Sequence, residues 1–234
     1  MNAATNYQRL INRLTFISSR TFHTNKVFRE HSQLADICIE YLKSAHRIAQ
    51  ATVPLMQEVI HSAQSFNNDP VCAPLITYMK KHIAEEMHHD KWYINDLESI
   101  SVTEQEVLAQ IPSPNIAAMI GSQYYWVKHQ HPVAFMGYIT ALEANPPTEA
   151  YVNELIKNSK LPASAFDTLM LHAQIDVNHK EDIIQVLNEL PLTEEQFNLI
   201  EMSAFQSFRY VALLMEDVCR VAPKAKQADK QKIA

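Results

Sequence analysis

The chain has 234 residues, 47% of them apolar, which suits one large domain with a sizeable core. A formal charge of −6 and a pI near 6.0 exclude a broad basic surface for nucleic acid. Only two glycines, Gly121 and Gly137, stand against eleven prolines; this excludes folds of many tight turns or glycine-lined phosphate loops and leaves proline-punctuated helices.

The first residues, MNAATNYQRLINRLTF, carry no apolar signal region, and no later stretch approaches the length of apolar run that spans a membrane. Residues 33–66 show helical apolar spacing, which Pro54 should kink or break. NNDP (67–70) reads as a loop, and a second helix is expected from about Ala73 to Leu97. Thr103 and Glu106 form a capping box that opens a short helix ending before PSP (112–114). From Asn115 to Ala144 the pattern is helical again, with a break at HQHP (129–132). NPPT (145–148) ends that run and Thr148 caps a helix to about Lys160; a further helix spans roughly Ala163 to Leu190. A second capping box at Thr193 and Gln196 starts the last helix, to about Val221. Residues 1–222 thus read as one all-α domain without repeat, strand pattern or dividing linker, and the polar tail 223–234 as disordered. Cys38, Cys72 and Cys219 are scattered and odd in number, as expected of reduced thiols in a soluble cytoplasmic protein with no membrane partner.

Chemistry is concentrated in three segments. In LHAQIDVNHKED (171–182), His172, Asp176 and His179 fall at i, i+4 and i+7, one stripe of a helix bordered by Leu171, Ile175 and Ile183. Acids and imidazoles that face inward are costly unless paired or bound to metal. In HIAEEMHHDKW (82–92), Glu85 with His89 or His88, or Glu86 with His89, can present one carboxylate oxygen and one imidazole nitrogen to a common ion, and His82 extends the stripe backwards. Glu143, in FMGYITALEANPP, ends a helix whose apolar face carries Met136, Ile139 and Leu142. Oxygen and nitrogen donors without thiolate suit iron or manganese. Glu85, His89, Glu143, His172, Asp176 and His179 amount to three carboxylates and three imidazoles, enough for two ions with positions left open. ExxH alone is weak, since Glu58 and His61 repeat it as an ordinary helix-surface pair would. Tyr124, Tyr125, Trp126 and Trp92 are read as core packing, and His129 and His131 as solvent-facing. No arginine clamp announces a carboxylate substrate, Arg47 being the one bare candidate, and neither Cys38 nor Cys72 has an evident activating partner.

The HxxxDxxH helix, preceded by ALEANPP and HIAEEMHHDKW, resembles the haem-oxygenase-like di-iron oxidases and oxygenases, iron-containing redox enzymes of the TenA/PqqC-like superfamily. The likeness runs from about Gln33 to Leu190 and takes in the proline-broken helix with TVPLMQEVIH. It implies a haem-oxygenase-like helical bundle in which two Fe ions, or Mn, act with O2 on a small-molecule substrate such as an amine, amino acid or fatty acid. The implied ligands are Glu85, His89, Glu143, His172, Asp176 and His179, with Glu86 and His88 as alternates. The short Glu–His separation is similar to that of the fatty-acid-decarboxylating branch. One branch consumes its own tyrosine and lysine; here no tyrosine lies between Arg20 and Glu30, and Asn153 stands near the lysine position, so an external substrate is implied. The fold also allows a homodimer, and a metal-free TenA/PqqC-like enzyme or binding protein is the alternative function.

Overall fold

In the computed structural model of the chain, three threonines open helices by one device. Thr5, Thr103 and Thr193 each accept a hydrogen bond from the backbone N–H three residues on, while Gln8, Glu106 and Gln196 reach back to the cap residue. Ser113 and Thr148 cap two more helices with a single bond each. The structure describes residues 4–66 and 68–220; the side chains of Ser18, Ser19, Thr21, Phe22, Asp176 and Val177 lie outside the described residues, as does the 223–234 tail. Among the described residues there are ten α-helices and no strand. They are α1 (Asn6–Arg29), α2 (Leu34–Ala63), α3 (Cys72–Glu86), α4 (His89–Glu98), α5 (Glu104–Ala109), α6 (Pro114–His129), α7 (Phe135–Glu143), α8 (Glu149–Ser159), α9 (Asp167–Glu189) and α10 (Glu194–Cys219). Short 3-10 turns at Pro132–Ala134 and Ala163–Phe166 lead into α7 and α9.

Three features differ from expectation. The N-terminal segment, read above only for targeting signals, forms α1, which buries Leu10, Leu14 and Ile17 at helical spacing. Pro54 does not break α2, which continues through it: Pro54 and Gln50, whose carbonyl loses a partner, both face solvent, where water can replace the missing bond. The helix expected over 73–97 is instead broken between α3 and α4, with His88 in the left-handed region at φ 76°.

The two most extensive helix pairings fix the frame. Along α1 and α10, Arg9 grips Glu194 through two oxygens at 2.7 and 2.8 Å, Arg13 meets Glu201, and Arg20 meets Glu216 at 2.8 Å. Arg9 also lies over the Phe197 ring, 4.1 Å from its centre. α7 lies on α10 at backbone distance, because Gly137 leaves no room for a Cβ, which would meet Ile200 O at 2.2 Å and Ala204 N at 2.5 Å. Apolar side chains form two clusters, one holding Leu55, Tyr78, Tyr138 and Phe208, the other Ile37, Tyr93, Leu169 and Leu214. Among the described residues, no helix is long and apolar enough to cross a membrane.

Candidate metal centre

The break at His88 decides which side chains of HIAEEMHHDKW meet. Glu86 is the last residue of α3 and His89 the first of α4, and Glu86 Oε2 comes to 2.9 Å from His89 Nδ1. His88, at the bend, is exposed. The other Glu86 oxygen lies 3.9 Å from His179 Nδ1, delivered by α9. Glu143, the C-terminal residue of α7, places Oε2 at 3.6 Å from the same His179 nitrogen and Oε1 at 3.0 Å from His82 Nε2. His172 stands on the cavity side of the cluster, its ring 5.0 Å from that of His89 and stacked on Tyr93. Its Nδ1 donates to Thr168 O at 2.8 Å, which leaves Nε2 as the donor atom.

Of the six residues singled out above, His89, Glu143, His172 and His179 converge, and the side chain of Asp176 lies outside the described residues. Glu85 is at the rim: a third of its side chain is exposed, and it touches His82 at 3.4 Å, Lys81 at 3.7 Å and His179 at 3.9 Å. Its alternate Glu86 is inside. His82, left uncounted above, is buried to 1% exposure between Glu143 and Glu85. The signal for it was its spacing, one turn before Glu85 and Glu86 and two before His89.

Burial sets the electrostatics. It drives the Glu143 carboxyl upward against the opposing pull of His82. At Glu86 burial acts the same way, but the His89 imidazole beside it, with His82 and His172, prevails and holds the carboxyl low. For His82 burial opposes the charge, yet Glu143, Glu86 and Glu85 overcome it and lift the imidazole to about 9. Neither nitrogen of the buried His89 ring is aligned for a hydrogen bond, nor does Glu143 Oε2 have one. One atom each from His82, Glu86 and Glu143 lie within 4.8 Å of one another, as do those from His82, Glu85 and His179. A buried cluster of acids with imidazole donors left over is what a divalent cation would complete, and nitrogen with carboxylate oxygen suits iron or manganese.

A cavity of ≈ 520 Å³ opens onto Glu86, His89, Glu143 and His172. Its walls come from α2 (Tyr41, Ala45, Ala49), the 145–148 loop and α10 (Phe208, Val211, Leu214), so the last helix, unmarked in the sequence, supplies much of it. Burial pushes the Tyr41 phenol up to about 12 and that of Tyr151 higher, so both are neutral donors. Arg47 is elsewhere, its guanidinium on the carbonyls of Val107, Leu108 and Gln110, where it caps α5.

His131, expected at the surface, is buried: its Nε2 donates to Asp69 at 3.1 Å and its Nδ1 accepts from Val133 N–H, closing the turn before α7. Tyr125, expected in the core, is 53% exposed, since it sits on the outer face of α6. The Glu58 and His61 pair is a surface matter, with Glu58 on Lys128 at 3.3 Å and His61 exposed.

A sequence profile of the iron-containing redox enzymes matches residues 75–209, a span that begins in α3 and ends in α10. No curated protein matches the chain by sequence. Among solved structures, a domain of unknown function with a haem-oxygenase-like fold from Shewanella denitrificans is 19% identical, with TM-score 0.70 over 91% of this chain and 89% of that one. A TenA homologue from Pseudomonas syringae is 16% identical, with TM-score 0.70 over 92% of both chains. A CADD-like protein of unknown function from Nostoc punctiforme is 11% identical, with TM-score 0.57 over 88% of this chain and 97% of that one. These likenesses give the fold: a haem-oxygenase-like helical bundle.

Proposed function

The chain belongs to the iron-containing redox enzymes, and from that premise we propose that it is a non-haem di-iron oxidase or oxygenase acting with O2 on a small organic substrate. The ligands proposed are Glu86, His89, Glu143, His172, Asp176 and His179. The observation that carries the two-ion reading is the placing of Glu86. One of its oxygens faces His89, beside which stands His172, and the other faces His179, which also neighbours Glu143. A carboxylate between two groups of imidazoles is disposed to bridge two ions.

Iron bound there would supply the binding and activation of O2, which is itself the source of the oxidising equivalents. The chain's own residues do the rest. Thr168 O fixes the tautomer of His172, and the bend at His88 aims Glu86 and His89 inward. The cavity beside them holds the substrate away from bulk water: Ala45, Ala49 and Val211 give it room and an apolar wall, and Tyr41, Tyr151, Asn145 and Thr148 offer uncharged hydrogen-bonding groups. Among the described residues no lysine or arginine lines it, which favours a substrate that is neutral or mostly apolar at its far end. None of the three cysteines lines it either, and burial pushes the Cys38 thiol up to about 12, so a thiol nucleophile of the TenA kind has no support.

Anaerobic loading with Fe(II) tests the reading. Two equivalents are expected to bind, and admission of O2 should then consume O2 and oxidise the metal. Binding of fewer than one equivalent, or a loaded protein indifferent to O2, would reject it.

A further inference from the structure

His82 is as deeply buried as His89, at 1% exposure, and belongs to both of the three-residue groups able to hold an ion at this centre. Its ring is fixed on three sides: it stacks on Tyr78 at 5.4 Å and meets His179 edge-on at 5.1 Å, and both nitrogens face carboxylates. We propose that His82 is itself a metal ligand through Nε2, and that Glu85 is the carboxylate that orients it rather than a ligand. This rests on the two-ion reading above and adds a fourth imidazole to it.

Metal-binding imidazoles characteristically donate their second ring N–H to a carboxylate or carbonyl, which fixes the tautomer and turns the other nitrogen to the ion. At His172 the partner is Thr168 O. At His82 it is Glu85, whose Oε2 lies 3.4 Å from Nδ1. Glu85 is anchored in turn by Lys81 at 3.7 Å, and Lys81 by Asp182 of α9. The chain Asp182–Lys81–Glu85–His82 thus runs from the surface to the centre and ends on an imidazole nitrogen. That nitrogen, Nε2, sits 3.0 Å from Glu143 Oε1, beside the oxygens proposed as ligands. The same placing explains why Glu85 is at the rim: it faces the back of His82 and the solvent.

The test loads Fe(II) anaerobically into wild type, His82→Ala, His82→Gln and Glu85→Gln, with Glu58→Gln as a surface control. Metal equivalents and affinity are read by chelator competition, the visible band of the Co(II)-loaded proteins reports the donor set, and circular dichroism of the metal-free proteins shows that each folds. Both His82 variants should lose more than about 100-fold in affinity for one of two equivalents, beyond what loss of a merely orienting group costs, and shift the Co(II) band. Glu85→Gln should lose about 10–100-fold and keep the band position. His82→Gln is informative even if the alanine variant misfolds, because its amide can still donate to Glu143. Retention of both equivalents at wild-type affinity, with an unmoved band, in folded His82→Gln would overturn the proposal and leave the two-ion reading standing. A wild type that binds no metal would overturn both.

Discussion

Glu85 and Glu86 are neighbours in sequence with opposite surroundings: the Glu86 side chain is 10% exposed between two histidines, that of Glu85 32% exposed beside a lysine. Glu86→Ala should therefore abolish binding of both metal equivalents, whereas Glu85→Ala weakens binding and leaves two; equal losses in metal analysis would contradict the assignment. The sequence leaves this choice open for a physical reason. Helix phase tells which residues share a face only while the helix continues, and the bend at Met87 and His88 resets the phase between the two halves of EEMHH. Asp96 offers a separate test. It is buried and accepts the Thr168 N–H at 3.0 Å, so it steadies the start of α9 just before His172. Burial outweighs that bond and lifts its carboxyl from 3.8 to about 6. A folded value above the unfolded one means that the fold favours the neutral acid. The stability it contributes is fully present below about pH 4 and is lost as pH rises through about 6. Asp96→Asn removes this dependence. In urea unfolding the variant should gain on wild type between pH 4 and 7, by no more than about 3 kcal/mol; a gap that does not change with pH would refute the sign.

Two elements carry the placing of the centre, and each turns on one backbone position. His88 holds φ at 76°, a conformation a β-branched residue resists, and its side chain is exposed and free of the cluster. His88→Gly should keep metal binding and stability within about 1 kcal/mol, while His88→Val loses about 1–2 kcal/mol because the turn itself is opposed. Loss of metal in the glycine variant would make His88 a ligand after all. Gly137 matters through contact: a methyl there would strike the α10 backbone, which cannot step aside as a side chain could. Gly137→Ala should cost about 3 kcal/mol or more in denaturant unfolding, and by displacing α7 it should loosen Glu143 at that helix's end. The helices that capping boxes and apolar spacing announce, such as α5 at Thr103 and α10 at Thr193, were legible. α1 was equally so, through Thr5, Gln8 and the Leu10, Leu14, Ile17 spacing, once the segment is read for burial and not only for targeting. The bend before α4 was not, because neither glycine nor proline marks it; what holds it is tertiary, with Glu86, His89 and the buried Tyr93 all drawn to the same interior.

At the scale of the whole molecule, the centre and its cavity lie where the two apolar clusters meet, Phe208 coming from one and Tyr93, Leu169 and Leu214 from the other. A region between two cores is filled from six or more helices, which is why composition announced helices and sequence spacing announced donors, but neither could announce the cavity's walls. It also makes metal a structural matter. Glu143 and Glu86 are both held out of water, and among the described residues their charge in the metal-free protein is met by the imidazoles of His82, His89, His172 and His179. Burial of acids in that state opposes folding, and a cation that binds the folded form alone relieves it. Ferrous iron at about one hundred times its dissociation constant should stabilise the fold by about 2.7 kcal/mol for each independent site. For a chain of this size that corresponds to a rise in melting temperature of about 5–10 °C for each site filled, measured anaerobically with a non-chelating buffer. The shift should vanish on chelation and in Glu86→Ala, and persist in a cavity-blocking Ala49→Phe, since Ala49 carries no donor atom for the ions. Iron that binds without raising the melting temperature of wild type would place the ions away from the buried acids.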